Sequence, residues 1–519
     1  MKKNSFILII LIVFSFFSCK EKEPEGALKN PFFVFNNSLN KADIDKIPYA
    51  DQAKLLKKLG YDGMEYKETD GLLETIDLFK KQGLKIYTDY ARVDIDKAEP
   101  YLPEWKQVIP KLEGSGIILW LHLHSEKFAP SDEAADSIVV PILQDLADFA
   151  KPYGVRLAIY PHAGFLAEKA EDAYRLATKV DRENVGVVFN LCHFLKTGSE
   201  ENIVPVIDQI LPRLFAVSIS GADRGDTQSM DWDRLIQPLG QGTFNVYRVV
   251  ELLTDKGYTG PVGLQCYNLK GQPEVYLKQS MDTWKKFSRK YAMPHNTLAQ
   301  EEAADGWQLL FDGTTSANWH GINKDSFPQS GWKIRNGELV ANATDGVESD
   351  NGGDIVTDKE YGNFILKWEW NMVSKGGNSG LKYFVQEGIG DNKKYGYGLE
   401  YQILDDKNHE WMLSGKMQPN DYHTVGALYE IYPASADKCP SPLGLWNESM
   451  IVSKGNHVEH WLNGMKILEY ERGSNDFKEK IAESKFKDIP GFGLQLKGHL
   501  LIQDHGSIVR FRDIKIKEL

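Results

Sequence analysis

Short apolar runs alternate with amphipathic stretches along the first part of the chain. The apolar runs cover residues 32–35, 62–66, 85–90, 117–123, 156–160, 186–190, 215–220 and 262–266. Between them, apolar positions recur at the spacing of amphipathic helices, and Gly60 and Gly83 stand where such helices would end. Eight strands, each followed by a helix, predict an α/β domain of the (β/α)8 TIM barrel type over residues 31–291.

The pattern changes after residues 292–304, which we interpret as a linker. Helical spacing gives way to short strands with period-2 alternation and to turns rich in Gly, Asn and Asp. In residues 364–372, for example, Phe364 and Trp368 point one way and Glu369 points the other way. This pattern predicts an all-β sandwich over residues 305–519.

One face of this predicted sandwich is polar. Its members with candidate chemistry are Glu369, Glu400, Gln402 and Gln495, the last of them in a predicted strand at residues 491–496. Such a face is either solvated or a binding cleft. Because Glu, Gln and Asn are poor strand formers, we favour a concave sugar-binding cleft.

The chain begins with the features of an export signal. Two lysines precede an apolar run at residues 6–17, which is too short to span a bilayer. The small residue and Cys19 that follow look like a bacterial lipobox. We predict a lipoprotein signal peptide at residues 1–19, lipidation of Cys19 and a tether at residues 20–30, with a plain secretory signal as the alternative. The protein would then be membrane-anchored on the periplasmic or cell-surface side.

Composition narrows the class of partner. The 519 residues carry a net charge of −12, which argues against a nucleic-acid partner. The four cysteines show no CxxC or Cys/His spacing, so neither a disulfide framework nor a zinc motif is indicated. The 12 Trp and 23 Tyr residues could stack on sugar rings as well as fill cores.

Polar side chains gather where the predicted barrel strands end, which is where barrel enzymes carry their sites. They are Asn36, Glu65, Asp89, Arg92, His122, His124, His162, Asn190, His193, Asp223, Gln265 and Tyr267. Each histidine could simply bond to the local backbone, but the convergence favours a polar pocket. His162, Asn190, His193 and Gln265 are our candidates for substrate binding.

Four barrel segments resemble the xylose isomerase-like superfamily of sugar isomerases and epimerases. They are residues 60–67, 160–177, 185–196 and 235–246. The resemblance implies one divalent metal, held by Glu, Asp, His and Glu at the ends of strands five to eight. The metal would polarise a ketose carbonyl while carboxylates move a proton at the adjacent carbon.

This chain departs from that pattern at each metal-binding position. The corresponding residues are Tyr160, Asn190, Ser218 or Ser220, and Gln265, which carry no negative charge for a divalent ion. Two hypotheses follow. A relocated metal site could use His162, His193 and Asp223, or the barrel could bind a sugar without metal, which we favour.

The second domain resembles the 3-keto-disaccharide hydrolase family over nearly all of residues 305–519. The segments that carry the resemblance are residues 306–319, 332–341, 354–370, 376–384, 398–406, 446–464 and 491–519. It implies a concanavalin-like jelly roll that cleaves glycosides first oxidised at C3. Asn378, Lys382, Gln402 and Gln495 are substrate-binding candidates on this domain.

The tetrapeptide Gln-Asp-His-Gly at residues 503–506 lies between two predicted strands within residues 501–514. A neighbouring Asp504 could orient His505 as a proton shuttle. A C3 ketone acidifies the C2 hydrogen, so one base could start β-elimination of the C1 oxygen, after which water adds back. Alternatively, Asp504 caps an Asx turn, or Glu369 and Glu400 form an ordinary glycosidase pair.

These features together predict an exported carbohydrate-active lipoprotein. The jelly roll would cleave 3-keto-glycosides, with His505, Asp504, Glu400 and Glu369 as catalytic candidates. The barrel would bind or isomerise a related keto-sugar. The rival hypothesis is a non-catalytic glycan-binding lipoprotein with a degenerate barrel.

Overall fold

A computed structural model of the chain describes residues 26–40, 47–342, 352–388 and 396–519. The predicted signal peptide, most of the predicted tether and Cys19 lie outside the described residues. Within the described ranges, no helix combines the length and the apolar character needed to cross a membrane.

Eight parallel strands close into a barrel in the first domain, which confirms the predicted (β/α)8 architecture. The strands are β1 (Phe32–Val34), β2 (Gly63–Tyr66), β3 (Lys85–Asp94), β4 (Ile118–His124), β5 (Arg156–Ile159), β6 (Val185–Asn190), β7 (Leu214–Ile219) and β8 (Val262–Leu264). The helices are α1 (Tyr49–Leu59), α2 (Leu72–Lys81), α3 (Trp105–Val108), α4 (Asp136–Ala150), α5 (Ala170–Val180), α6 (Leu191–Thr197), α7 (Ile203–Ile210), α8 (Trp232–Leu235), α9 (Val246–Asp255) and α10 (Pro273–Ala292). Strand β1 pairs with both β2 and β8, so the ring is closed.

Large aromatic side chains fill the interior of the barrel. Phe33, Trp120 and Tyr160 belong to one buried cluster, and the ring centroids of Trp120 and Tyr160 lie 5.2 Å apart. Gly263 on β8 leaves room for them, because a Cβ atom there would lie 2.7 Å from the Phe33 ring. The barrel is therefore a packed core, and its cavity lies at the carboxyl ends of the strands.

Two antiparallel sheets form the second domain, which confirms the predicted β-sandwich. Its strands are β9 (Trp307–Leu309), β10 (Trp319–Gly321), β11 (Trp332–Arg335), β12 (Glu338–Ala341), β13 (Ile355–Thr357), β14 (Phe364–Met372), β15 (Asn378–Gln386), β16 (Tyr397–Leu404), β17 (Asn447–Lys454), β18 (His457–Leu462), β19 (Met465–Glu471), β20 (His499–Ile502) and β21 (Val509–Glu518). One sheet has the order β10-β13-β20-β15-β16, and the other has the order β11-β12-β21-β14-β17-β18-β19, with β9 beside β21.

The apolar face predicted by alternation is the core of the sandwich. Trp368 of β14 and Tyr401 of β16 are buried together between the sheets, with ring centroids 5.1 Å apart. The predicted strand at residues 491–496 is wrong, because that segment forms turns. Gly491 and Gly493 adopt φ values of 67° and 71°, which an extended strand does not allow.

The predicted linker is an ordered connection that contains the short helix α11 (Gln300–Ala304). The backbone N–H of Asn296 donates to Asp513 Oδ1, and the backbone N–H of Asp513 donates to Asn296 Oδ1 at 2.8 Å. These bonds attach the connection to β21. Two further helices, α12 (Glu410–Leu413) and α13 (Asn475–Glu483), lie in loops of the sandwich.

A buried ring of four charges joins the two domains. Arg248 and Glu251 come from α9 of the barrel, and Glu369 and Arg512 come from β14 and β21 of the sandwich. Arg248 donates to Glu369 at 2.5 Å and to Glu251 at 2.8 Å, while Arg512 donates to Glu369 at 2.8 Å and to Glu251 at 2.7 Å. The barrel therefore covers the polar side of β14 at Glu369, where the sequence predicted an open cleft.

Candidate functional site

A polar cavity of about 330 Å³ opens on the sheet that contains β15 and β16. Its lining residues are Asn378, Lys382, Gly396, Tyr397, Gly398, Glu400, Gln402, Tyr429, Lys485, Phe486, Gln503 and His505. Five of the predicted site residues therefore meet here: Asn378, Lys382, Glu400, Gln402 and His505. Sequence reasoning missed Tyr429, Lys485 and Phe486, which come from irregular segments without a periodic pattern.

The pairing of β15 with β16 explains why these side chains converge. Lys382 lies directly opposite Glu400, and Gly380 lies opposite Gln402. Side chains that are directly opposite in an antiparallel pair share one face of the sheet. Gly380 is required by this arrangement, because a Cβ atom there would lie 2.4 Å from Glu400 Oε1. The Glu400 carboxylate thus lies across the backbone of Gly380.

Two of the charged groups in this cavity are almost fully buried. Lys382 Nζ lies 3.9 Å from Glu400 Oε2 and 4.0 Å from Asp354 Oδ2. Lys382 and Glu400 are only 8% and 7% exposed, so water screens their attraction weakly. The pair brings a cation and a carboxylate to one surface, where one can stabilise developing negative charge and the other can accept a proton.

Asp504 holds the loop that presents His505. Its Oδ1 accepts the backbone N–H of Gly506 at 3.2 Å, and its Oδ2 accepts the backbone N–H of Gly353 at 3.3 Å. The bond to the residue two positions ahead is the Asx turn that the sequence left as an alternative. His505 lines the cavity whereas Asp504 does not, so we assign Asp504 a positioning role.

Two predicted site residues lie away from this cavity. Glu369 is in the other sheet, where burial raises its pKa but the guanidinium groups of Arg248 and Arg512 outweigh burial and lower it to about 2. Its carboxylate is already paired, so we correct its assignment as a catalytic residue. Gln495 lies in the turn segment and donates to the Gly491 carbonyl at 3.0 Å. Its assignment to the polar face assumed a strand that does not exist.

A second cavity, of about 500 Å³, opens at the carboxyl ends of the barrel strands. The lining residues with polar or aromatic side chains are Phe35, Asn36, Asn37, Asn40, Glu65, Lys67, Tyr90, Tyr160, His162, His193, Trp232, Gln265 and Tyr267. Of the twelve residues predicted to form a polar pocket, six meet here: Asn36, Glu65, His162, His193, Gln265 and Tyr267. Asn37, Lys67 and Trp232 were not singled out; they lie in the connections that follow β1, β2 and β7.

The residues at the family's metal positions do not fit a divalent ion. The side-chain amide of Asn190 already hydrogen-bonds within the protein, because it donates to the Tyr160 hydroxyl and accepts from Cys192 Sγ at 3.1 Å. Gln265 Oε1 accepts three N–H groups, from the Asn37 side chain and from the next two backbone amides. These oxygens are neutral and already bonded, so they offer a divalent cation little. Asn190 also does not line the cavity, which corrects its assignment to substrate binding.

Asp223 does not join the two histidines. Arg234 Nε donates to its Oδ2 at 2.9 Å, and the backbone N–H of Thr243 donates to its Oδ1 at 3.1 Å. Among the described residues, groups able to hold a metal occur only at His295, Glu369 and Asp513 and at His457, Glu459 and Glu469. The structure therefore does not assemble the predicted relocated metal site of His162, His193 and Asp223.

The two imidazoles of the barrel cavity are neutral and have opposite hydrogen-bonding roles. Their ring centroids lie 4.0 Å apart. Nδ1 of His162 donates to the Ala163 carbonyl at 2.9 Å, and Nδ1 of His193 accepts the Ala163 N–H at 3.3 Å. Burial lowers the pKa of both groups. Thus Nε2 is an acceptor in His162 and an N–H donor in His193.

Glu65 stands in the wall of the same cavity, where its Oε2 accepts the Asn36 N–H at 3.0 Å. Burial raises the pKa of Glu65 to about 8.

The raised pKa of Glu65 makes folding stability depend on pH. An unfolded chain releases this proton near the ordinary value of 4.5, whereas the folded chain retains it. Folding stability should therefore fall as pH rises from about 4.5 to about 8. We expect Glu65→Gln to abolish this pH-dependent loss of stability, which is on the order of 5 kcal/mol. Urea unfolding of both proteins at pH 5 and pH 9 measures this, and parallel pH dependences would contradict it.

Comparison with known proteins agrees with both domains. Residues 306–517 match a family profile described as a 3-keto-alpha-glucoside-1,2-lyase-like domain, and residues 53–287 match one described as a xylose isomerase-like TIM barrel. A 3-keto-disaccharide hydrolase of Bacteroides thetaiotaomicron is 34% identical over 236 residues, covering 42% of this chain and 79% of that protein. Inosose isomerases of Halalkalibacterium halodurans and Bacillus subtilis are 26% and 24% identical, covering 31% and 45% of this chain and 56% and 88% of those proteins.

The two resemblances predicted from the sequence are thereby confirmed. The order of the domains along the chain is also the order of the two matches, barrel first and sandwich second. The chain belongs to the 3-keto-disaccharide hydrolase family through its sandwich, and its first domain is a xylose isomerase-like TIM barrel.

Proposed function

We propose that this chain is a carbohydrate-active enzyme whose sandwich cleaves 3-keto-glycosides. The observation that carries the proposal is the buried Lys382–Glu400 pair, which shares one cavity with His505 in a domain of this family. The name of the Bacteroides relative, 3-keto-disaccharide hydrolase, supports the choice of substrate class. A cavity of about 330 Å³ is in the size range of small-molecule sites.

The chemistry needs one base, one cation and one acid. Glu400 takes the C2 proton that the C3 ketone has acidified, and the Lys382 ammonium stabilises the enolate oxygen formed at C3. The C1–O bond then breaks, and the leaving oxygen receives a proton from His505. Water adds across the resulting C1–C2 double bond to give the free 3-keto-sugar. Gln402 and Asn378 hydrogen-bond each other at 3.2 Å and offer their remaining polar atoms to sugar hydroxyls.

The structure favours elimination over an ordinary glycosidase mechanism. The latter needs two opposed carboxyl groups about 5 to 10 Å apart on either side of the glycosidic bond. Glu400 lines the cavity, but Glu369 belongs to the other sheet and is neutralised by Arg248 and Arg512. The pair of glutamates that the sequence suggested therefore does not form.

We further propose that the barrel binds or isomerises a related keto-sugar, so that one chain handles substrate and product. The names of the inosose isomerase relatives support this assignment. Export as a lipoprotein anchored through Cys19, on the periplasmic or cell-surface side, is part of the same proposal and is supported by the apolar run at residues 6–17.

Turnover of an aryl 3-keto-glucoside by the purified protein tests the sandwich assignment. We expect the wild-type chain to release the aryl alcohol and His505→Ala to lower kcat by about 10²-fold, because the leaving oxygen loses its proton donor. Calorimetric binding of the same compound is the parallel measurement. Binding without turnover by either protein would instead identify a non-catalytic glycan-binding protein.

A further inference from the structure

The barrel cavity has lost the charged ligands of its family but has kept a dense set of hydrogen-bonding groups. The positions that would hold the metal are occupied by Tyr160, Asn190, Ser218 or Ser220, and Gln265. Ser218 is fully buried, and the amide groups of Asn190 are bonded inside the protein. The cavity is nevertheless lined by amides, imidazoles and a carboxyl group.

Two polar atoms at the cavity wall are buried without a partner. Nδ2 of Asn36 is a donor and Oδ1 of Asn37 is an acceptor, and neither makes a hydrogen bond within the described chain. Leaving a buried polar group unsatisfied costs about 1–3 kcal/mol. A hydroxyl group both donates and accepts, so it complements carboxamide side chains such as these.

The remaining uncharged side chains of the lining suit the same kind of ligand, and Lys67, the cation among the lining residues, is exposed. His162 presents an acceptor and His193 presents a donor, both uncharged. Trp232 and Tyr267 add aromatic surface, and Tyr267 is 56% exposed at the rim. Aromatic faces and neutral hydrogen-bonding groups match the C–H faces and hydroxyls of a cyclic polyol.

We propose that the barrel cavity binds an uncharged cyclic polyhydroxy ketone without a divalent metal, and that the Glu65 carboxyl group donates a hydrogen bond to its carbonyl oxygen. This inference rests on the proposed keto-sugar function of the barrel. A buried carboxylic acid that stays protonated near neutral pH can polarise a carbonyl through a hydrogen bond. The elevated pKa of Glu65 is consistent with this role.

Calorimetry with the full chain and an inosose tests the proposal. After exhaustive dialysis against EDTA, we expect unchanged affinity and only trace metal by mass spectrometry. Asn37→Ala and Glu65→Ala should weaken binding about tenfold or more, whereas Glu65→Gln, which keeps a donor, should weaken it by less than about threefold.

Asp223→Asn is the matched control, because Asp223 lies outside the cavity but belongs to the predicted relocated metal site of His162, His193 and Asp223. Unchanged binding by this variant supports the metal-free site. Stoichiometric metal in the purified chain, or binding that requires added metal, would overturn the inference and leave the proposed keto-sugar function standing. Absence of binding both with and without metal would overturn both.

Discussion

Replacing Glu400 with Gln is expected to lower kcat for a 3-keto-glycoside by about 10³-fold while the protein stays folded. Gln has nearly the same shape but cannot accept the C2 proton, so Lys382 would face a neutral amide across the 3.9 Å gap. Steady-state kinetics with an aryl 3-keto-glucoside measures the loss. The Michaelis constant should change much less, because the lost interaction acts mainly in the transition state.

Glu448→Gln is the control for this experiment, because the Glu448 side chain is 49% exposed and lies on the other sheet.

A second variant, Gly380→Ala, tests the position of the Glu400 carboxylate from the opposite strand. Its new methyl group would displace Glu400, and a misplacement of about 1 Å can cost about 10²-fold in rate. Full activity in Glu400→Gln would mean that another group removes the proton.

Replacing Glu369 with Ala is expected to lower the free energy of unfolding by about 3–5 kcal/mol. The change leaves Arg248 and Arg512, which are 2% and 5% exposed, buried beside each other without this carboxylate. Urea denaturation followed by tryptophan fluorescence measures the loss, because Trp446 packs under Arg512. The folded fraction should cleave 3-keto-glycosides at the wild-type rate, since Glu369 lies outside the cavity.

A half-exposed ion pair across the same domain boundary serves as the comparison for the stability effect of the buried ring. Lys290 Nζ and Glu448 Oε2 lie 3.7 Å apart, with side chains 47% and 49% exposed. Glu448→Gln should therefore change stability by less than about 1 kcal/mol. Equal losses of unfolding free energy in Glu369→Ala and Glu448→Gln would contradict the buried ring as the main polar contact between the domains. A large fall in kcat in Glu369→Ala would restore the glycosidase hypothesis.

The sandwich site was predictable in part, because β-strand alternation is a local property. Alternation placed Glu400 and Gln402 on one face of β16, and the structure has both in one cavity. The same reasoning failed for Gln495, because left-handed glycines on either side of Phe492 break the strand that it assumed. Lys485 and Phe486 could not be found, because loop residues are placed by tertiary packing alone.

The barrel site was also predictable from the sequence only in part. The positions of eight strands follow from apolar runs, and the ends of those strands brought His162, His193, Glu65 and Gln265 to one cavity. The sequence also revealed that the metal-binding carboxylates are missing. It could not show that Asp223 would bond to Arg234 instead of facing the two histidines.

Local sequence thus determined both folds, the faces of their strands and the residues available to each site. Glu369 and Glu400 lie in similar sequence patterns, each flanked by large apolar residues in a strand, yet their surroundings in the folded protein differ. Glu369 meets Arg248, a residue 121 positions earlier, whereas Glu400 meets Lys382 in an open cavity. The packing of the barrel against one sheet and the pairing of β14 with β21 decided this, because burial and charge pairing depend on neighbours that are distant in the chain.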